Sequence, residues 1–308
     1  MLRRTYLGLS MGADSLRAVA LHRQGKSVRL QGARAFDLKP GLLVPAFREA
    51  NLTDPGALAE VVGEVLDPLS GREDRVALSL PDQAGRVMLV EVETPFKTKQ
   101  EGRDILRWQL KKSLPSELGD IHLDFQVLSR SDTGRLKVVV ALMERGVLDQ
   151  YQDLLARAGY HAVLVDFQAF NLYNYYRTRV DMGDDFVFVS IQGRVLSVDI
   201  FQDRVLVFHR VRDIADHAER VFQELNRTLV GFQGGLQALR RASAYLHTDW
   251  QDREVLHGML SSLFEKETQL LAPHLERLLP QGSDPSALPD SGILDAVGAG
   301  ERLLWGAG

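Results

Sequence analysis

The chain has 308 residues, 45% of them hydrophobic and 25% charged, an ordinary globular composition long enough for two domains. Against 41 Asp and Glu, 37 Lys and Arg leave a net charge of −4, which gives no electrostatic reason to expect nucleic acid as a partner. With no cysteine, disulfide scaffolds, thiolate zinc sites and cysteine nucleophiles are excluded.

Tyr6 to Leu21, YLGLSMGADSLRAVAL, reads as an apolar strand, a short turn with one glycine, and a second apolar strand. Glycine in such a turn lets backbone N–H groups approach a phosphate, and a carboxylate ending the first strand would hold Mg²⁺. Here that position is Ser10, and a neutral hydroxyl does not replace the charge. A third strand, Lys26 to Phe36, follows, then a loop with Pro40, Gly41 and Pro45. Leu58, Val61, Val62, Val65, Leu66 and Leu69 recur at helical spacing behind Asp54 as cap and Pro55 as first helical residue. Arg75 to Leu80 is a strand stopped at Pro81.

Arg86 to Glu93 starts a different unit, broken at Thr94-Pro95. Thr98 to Leu114 reads as a helix with Ile105, Leu106, Trp108 and Leu110 on one side, ended by Leu114-Pro115. Two strands, Ile121 to Leu128 and Arg135 to Met143, flank a Ser-Asp-Thr-Gly turn. Leu148, Tyr151, Leu154, Leu155 and Ala158 form an amphipathic helix closed by Gly159. This β-α-β-β-α block, about 83–159, is expected to be an insertion into a first domain of residues 1–180. His161 to Asp166 and a helix around Leu172, Tyr173 and Tyr176 return to the parent sheet. The polar run Asp181 to Asp185 is the expected boundary with a second domain, 181–308.

Phe186 to Phe201, FVFVSIQGRVLSVDIF, repeats the opening hairpin, with Ser190 at the carboxylate position and Gln192, Gly193 and Arg194 in the turn. A third strand, Arg204 to Arg210, and a helix through Ala218, Val221, Phe222, Leu225 and Leu229 follow. Gly234-Gly235 lies late in or just after that helix. Ala242 to Leu246 is a short strand, Val255 to Phe264 a helix, Pro280 to Pro289 a loop, and Ile293 to Trp305 a final short helix. Each half therefore runs hairpin, third strand, helix, strand, helix, as expected for a duplicated α/β domain.

Other patterns carry less. Gly8-Leu9-Ser10-Met11-Gly12 has the spacing of a hydrolase nucleophile elbow, but an elbow leads into a helix and here Leu16, Ala18 and Ala20 alternate as a strand. No histidine pairs at metal-motif spacing. Asp14, Asp199 and Asp203 lie near the hairpins, and Asp14, in the first turn, is read either as a displaced cation ligand or as a turn-stabilising aspartate. Lys111-Lys112 and Arg240-Arg241 are short runs of solvated helix face. Tyr173, Tyr175 and Tyr176 split between helix faces, which suits packing rather than base stacking. The segment MLRRTYLGLSMG lacks the apolar core of a signal peptide, and no stretch approaches the roughly 20 apolar residues of a membrane helix. The expectation is a soluble cytoplasmic protein that meets a membrane only through a partner.

The order of elements, with its insertion, resembles the actin-like, ribonuclease H-like duplicated fold of FtsA and, more closely, of PilM, the cytoplasmic protein of type IV pilus assembly. The likeness runs over nearly the whole chain. The family's first hairpin, D-x-G-x-x-x-x-K-A-V, is met by Ser10, Gly12, Arg17, Ala18 and Val19. Trp108, Pro115, Asp124, Phe125 and Gln126 resemble its helix, proline and L-D-Y-Q strand. Glu224, Arg227, Thr228 and Leu229 resemble its E-I-x-R-S-L helix, and Gly298 its closing glycine. GspL and MshI cytoplasmic regions are related.

Three departures accompany the resemblance. The phosphate aspartates correspond to Ser10 and Ser190. Thr248-Asp249 and then Trp250 stand where the family has an adenosine-binding glycine pair, and the segment between Arg210 and Glu224 is too short for the nucleotide-covering subdomain. The resemblance thus implies degenerate phosphate turns at Ser10, Gly12, Asp14, Arg17, Ser190, Gln192 and Gly193, no catalytic residue, no metal ligand, and weak or absent binding of ATP and Mg²⁺. The alternative is an actin-like ATPase using displaced metal ligands. It further implies a groove beside the insertion for the N-terminal peptide of a PilN-like membrane protein, with Trp108, Leu110, Leu114, Phe125 and Val127 as candidate lining. Other platform proteins and a motor ATPase complete the implied partners.

Overall fold

The computed structural model describes residues 4–111, 120–182, 185–214, 217–232, 239, 242–279 and 291–306. Leu114, Pro115, Lys112, Gly234-Gly235, Arg240-Arg241 and Pro280–Pro289 lie outside these. The chain forms two compact units: residues 1–84, 146–178 and 272–308, and residues 85–145 and 179–271.

In the first unit a five-stranded sheet has the order β3-β2-β1-β4-β8, built from β1 (Tyr6–Met11), β2 (Ser15–Gln24), β3 (Ser27–Asp37), β4 (Arg75–Leu80) and β8 (His161–Phe167). The first three strands are antiparallel, whereas β1, β4 and β8 are parallel. Helix α1 (Pro55–Ser70) starts on the Asp54 cap, whose Oδ1 accepts from the Ala57 N–H at 3.0 Å, with Pro55 in the first turn. Its Leu58, Val62, Val65 and Leu66 are buried. Helix α3 (Arg145–Arg157) is tied to the loop before α1: Tyr151 donates to Asn51 Oδ1 at 2.8 Å, and Gln150 Oε1 accepts from the Asn51 N–H at 2.9 Å. The phenol titrates above its ordinary range because it is buried.

The closing helix α7 (Leu294–Trp305) also belongs to this unit and lies on β1, β2 and β4. Its approach requires missing side chains. A Cβ on Gly8 would sit 2.0 Å from the Ala296 carbonyl oxygen, and one on Gly298 would sit 1.9 Å from the Asn171 carbonyl oxygen in α4 (Gln168–Val180). Arg302 pairs with Asp166 at the end of β8.

The second unit has a sheet of order β11-β10-β9-β12-β13, the same arrangement as the first, from β9 (Phe186–Gln192), β10 (Val195–Gln202), β11 (Val205–Asp213), β12 (Ser243–Thr248) and β13 (Gln269–Leu270). One face, with Val187, Val189, Ile191, Leu196, Val198 and Leu246, packs with α5 (Ala218–Val230) and α6 (Arg253–Leu263). The β10–β11 turn puts Asp203 and Arg204 in the left-handed region at φ 49° and 64°, the primed-turn geometry of two-residue hairpins. Asp185 Oδ1 accepts from the Asp203 N–H at 2.9 Å and Asp181 pairs with Arg204 at 3.0 Å, so the polar run expected as a linker anchors this turn.

A three-stranded sheet β5-β7-β6, from β5 (Arg86–Val92), β6 (Ile121–Arg130) and β7 (Leu136–Glu144), with α2 (Lys99–Leu110), completes this unit. The Thr98 hydroxyl caps α2 by accepting from the Glu101 N–H at 3.1 Å, and Glu101 Oε2 accepts from the Lys97 N–H at 2.8 Å.

These units differ from the division expected at 180/181 and from an insertion ending at 159. Helix α3 leaves the inserted block for the first unit, the block itself (85–145) groups with residues 179–271, and α7 returns to the first sheet. The reason is packing: α3 is fastened to Asn51, and the small residues of α7 admit backbone-to-backbone contact with β1.

Candidate functional site

The first hairpin turn is held by its own groups. The Gly12 N–H donates to Ser15 O at 2.8 Å, and Asp14, exposed, accepts from the Ser15 hydroxyl at 3.0 Å. Asp14 thus makes a side-chain contact within the turn. Arg17 Nη1 donates to the same Ser15 hydroxyl. Gly12 has no left-handed φ; its close neighbour is the Ser15 carbonyl, 3.3 Å from a notional Cβ.

Ser10 is buried at the end of β1, inside a polar cluster drawn from distant segments. Its hydroxyl donates to Asp295 Oδ2, in the first turn of α7, and accepts from Gln168 Nε2 at 3.0 Å. Ser79, at the matching end of β4, donates to the same carboxylate oxygen at 3.3 Å and accepts from Asn171 Nδ2 at 3.0 Å. Asp295 is buried, and burial raises its pKa against the opposing hydrogen bond from Ser10. Its Oδ1 is a buried oxygen without a hydrogen-bond partner among the described residues. A carboxylate therefore does stand at the end of β1, supplied by a residue 285 positions away. Sequence reasoning missed Asp295, and nothing in its local pattern marks it.

The second turn is closed differently. Ser190 shares a 2.7 Å hydrogen bond with Ser197, its cross-strand neighbour on β10. Gly193 takes φ +52°, and its N–H, the donor a phosphate would use, points at Asp249, whose two carboxylate oxygens lie at 3.1 and 2.9 Å. Trp250 Nε1 donates to the Gly193 carbonyl at 2.7 Å. Asp249 and Trp250, which follow β12 where the family has its glycine pair, thus close on the neighbouring turn. Asp199, farther along β10, is buried against His209 Nδ1 at 2.6 Å. His247, opposite Ser190 on β12, is wholly buried, and its pKa falls to about 3 for that reason. Among the described residues no group of three or more His, Cys, Asp or Glu is placed to hold a metal ion.

The described candidates for peptide contact differ in exposure. Leu110 is buried, and Phe125 packs edge-on against Phe96 at 5.2 Å, over Gly102. Trp108 is 72% exposed and Val127 39% exposed. Trp108 therefore lies off the buried face of α2, which is Gly102, Leu106 and Leu110; the expected single apolar side is corrected here. The helical period places Trp108 two positions from Leu106 and Leu110, about 200° around the axis, so the three cannot share a face. Leu114 lies outside the described residues. Lys99 and Arg103 pair with Asp124 at 2.9 and 3.4 Å; burial opposes its charge, but these partners hold the carboxyl below its ordinary pKa. Among the described residues no helix is long and apolar enough to cross a membrane.

Two five-stranded sheets of identical strand order, each opened by a glycine-turn hairpin, define the actin-like fold. A chain of the PilM–PilN type IV pilus biogenesis complex matches with a TM-score of 0.75 at 22% identity, over 98% of this chain and 99% of that one. A protein of actin-like ATPase fold and unknown function from Bacteroides thetaiotaomicron gives 0.56 at 11% identity, over 88% and 92%. The cytoplasmic domain of EpsL, an inner membrane component of the type II secretion system of Vibrio cholerae, gives 0.50 at 12%, over 97% and 95%. Residues 8–225 match the family of the type IV pilus assembly protein PilM, and the chain belongs to that family.

Proposed function

We propose that this protein is a non-catalytic cytoplasmic scaffold of a type IV pilus or related secretion platform, which holds the N-terminal tail of a PilN-like inner-membrane protein. Membership of the PilM family and the likeness to a chain of the PilM–PilN complex support the partner. The observation that carries the non-catalytic part is the Asp249 carboxylate on the Gly193 N–H. An internal anion occupies the backbone donor that a phosphate needs, and a second anion there would meet like-charge repulsion. Ser190 is spent on Ser197, and Ser10 on Asp295 and Gln168. These residues do not suit a magnesium nucleotide. The tail would be bound as an extended peptide through apolar anchors, bringing the scaffold to the membrane and to the motor ATPase.

The test has two arms. Fluorescence anisotropy with the N-terminal peptide of the PilN-like protein should give micromolar or tighter binding. A fluorescent ATP analogue with Mg²⁺ should bind weakly, with no turnover. Absence of peptide binding overturns the scaffold reading. The competing reading, an ATPase with displaced ligands, is favoured by one observation, the unpartnered Oδ1 of Asp295. Tight analogue binding abolished by Asp295→Asn would establish it instead.

A further inference from the structure

The surface where β11 passes into α5 carries charge that the proposed function does not use. A cavity of about 180 Å³ is lined by Asp213, Ile214, Arg220, Gln223, Glu224 and Arg227. Glu224, at its centre, already meets three guanidinium groups: Arg210 at 2.6 Å, Arg212 at 3.5 Å and Arg227 at 3.6 Å. One carboxylate cannot neutralise three cations. Arg194 adds a further guanidinium, 3.7 Å from Asp213. The Arg210 Nε is buried with no acceptor among the described residues, so the resident carboxylates do not satisfy every guanidinium of the cluster. Arg212, Arg220 and Arg227 are exposed at the rim. In a chain of net charge −4 this is a local concentration of positive charge around a concavity.

We propose that this cavity docks an acidic segment of a partner protein, an extended stretch presenting carboxylate side chains. Planar guanidinium groups match planar carboxylates in paired hydrogen bonds. A volume near 180 Å³ accommodates one or two such side chains. Arg220 and Arg227 stand seven residues apart on one face of α5, about 10 Å along its axis. Acidic residues two apart in an extended strand share a face and lie about 7 Å apart, a spacing that the long side chains of Arg220 and Arg227 can straddle. A nucleic acid backbone would need a continuous basic track, and a membrane a flat basic face. The resident Asp213 and Glu224 interrupt both, whereas a peptide can place its charges between them.

Fluorescence anisotropy on the full chain at low salt tests this, with a labelled glycine–serine peptide carrying two glutamates two residues apart and a glutamine version as control. The glutamate peptide should bind at least about tenfold more tightly than the control and weaken by a similar factor in added salt. Arg220→Glu should cost the binding about tenfold or more. Arg220 contacts Gln223 rather than Glu224, so the variant leaves the internal cluster standing, which an unchanged melting curve verifies. Arg227→Ala gives the same reading from the other rim. Equal binding of the two peptides overturns the proposal, as does retention within about twofold in both variants. Binding of a single-stranded oligonucleotide or of phosphatidylserine vesicles, lost in these variants while the glutamate peptide fails to bind, overturns it too. The PilN-tail assay uses a different peptide, so the two readings fail separately.

Discussion

Alanine at Gly298 would place a methyl 1.9 Å from the Asn171 carbonyl oxygen, where ordinary contact begins at 3.4 Å. The obstructing atom is backbone in α4 and cannot rotate away, so α7 must shift by on the order of 1.5 Å. That shift loosens Leu294, Ala296, Val297 and Ala299, all buried, and disturbs the Asp295 contacts with Ser10 and Ser79. Overpacking of this kind costs up to about 3 kcal/mol, while alanine recovers about 1 kcal/mol of helix propensity over glycine, for a net loss of about 2 kcal/mol. For a unit of this size that lowers the melting temperature by about 4–8 °C. Circular dichroism or scanning fluorimetry reads it directly. Gly258→Ala in α6 is the internal control, because a Cβ there meets nothing within 4 Å. That variant should melt at or slightly above the parent. If Gly298→Ala melts within about 1 °C of the parent, the close approach of α7 to α4 is not what this reasoning requires.

His247 is buried and neutral, with its pKa lowered to about 3. The unfolded chain binds a proton on this ring near pH 6.5 and the folded chain does not, so stability falls as pH drops below that value, by about 2 kcal/mol at pH 5. Urea midpoints at pH 7 and 5 should converge in a His247→Gln variant. Glu301 behaves oppositely. Burial raises its pKa to about 7, against the pull of Arg277, so its folded form is protonated where the unfolded one is ionised. Its contribution is complete below about pH 4.3 and is lost as pH rises through 7; Glu301→Gln should remove a loss on the order of 2–3 kcal/mol between pH 5 and 8, read by the same titrations. On α2, Leu110→Ala should destabilise by about 2–5 kcal/mol, and exposed Trp108→Ala by less than about 0.5 kcal/mol. A loss of tail-peptide affinity in Trp108→Ala at unchanged stability would place the indole in the docking surface.

Much of the fold was legible in the chain because its rules are local. Alternation in YLGLSM and FVFVSIQ names two strands, Asp54-Pro55 names a helix start, and the repeated hairpin-strand-helix-strand order names a duplicated domain. Serines stand at equivalent positions, Ser10 and Ser190, in both hairpins. Helix membership was read well, but helix face less so: Trp108 was assigned to the stripe of Leu106 and Leu110 and faces away.

Residue order alone thus determined which segments are strands and helices, that the arrangement is doubled, and that both hairpins lack their acid. Those properties depend on backbone geometry and side-chain period over a few residues. Tertiary structure decided which carboxylates meet the two hairpins: Asp295 on Ser10 of β1 across 285 positions, and Asp249 on Gly193 of the second turn across 56. It also decided that α3 and α7 belong with the first sheet. A hydrogen bond or a backbone contact is governed by separation in space, and no local pattern in the chain encodes which distant carboxylate packing will deliver to a given donor.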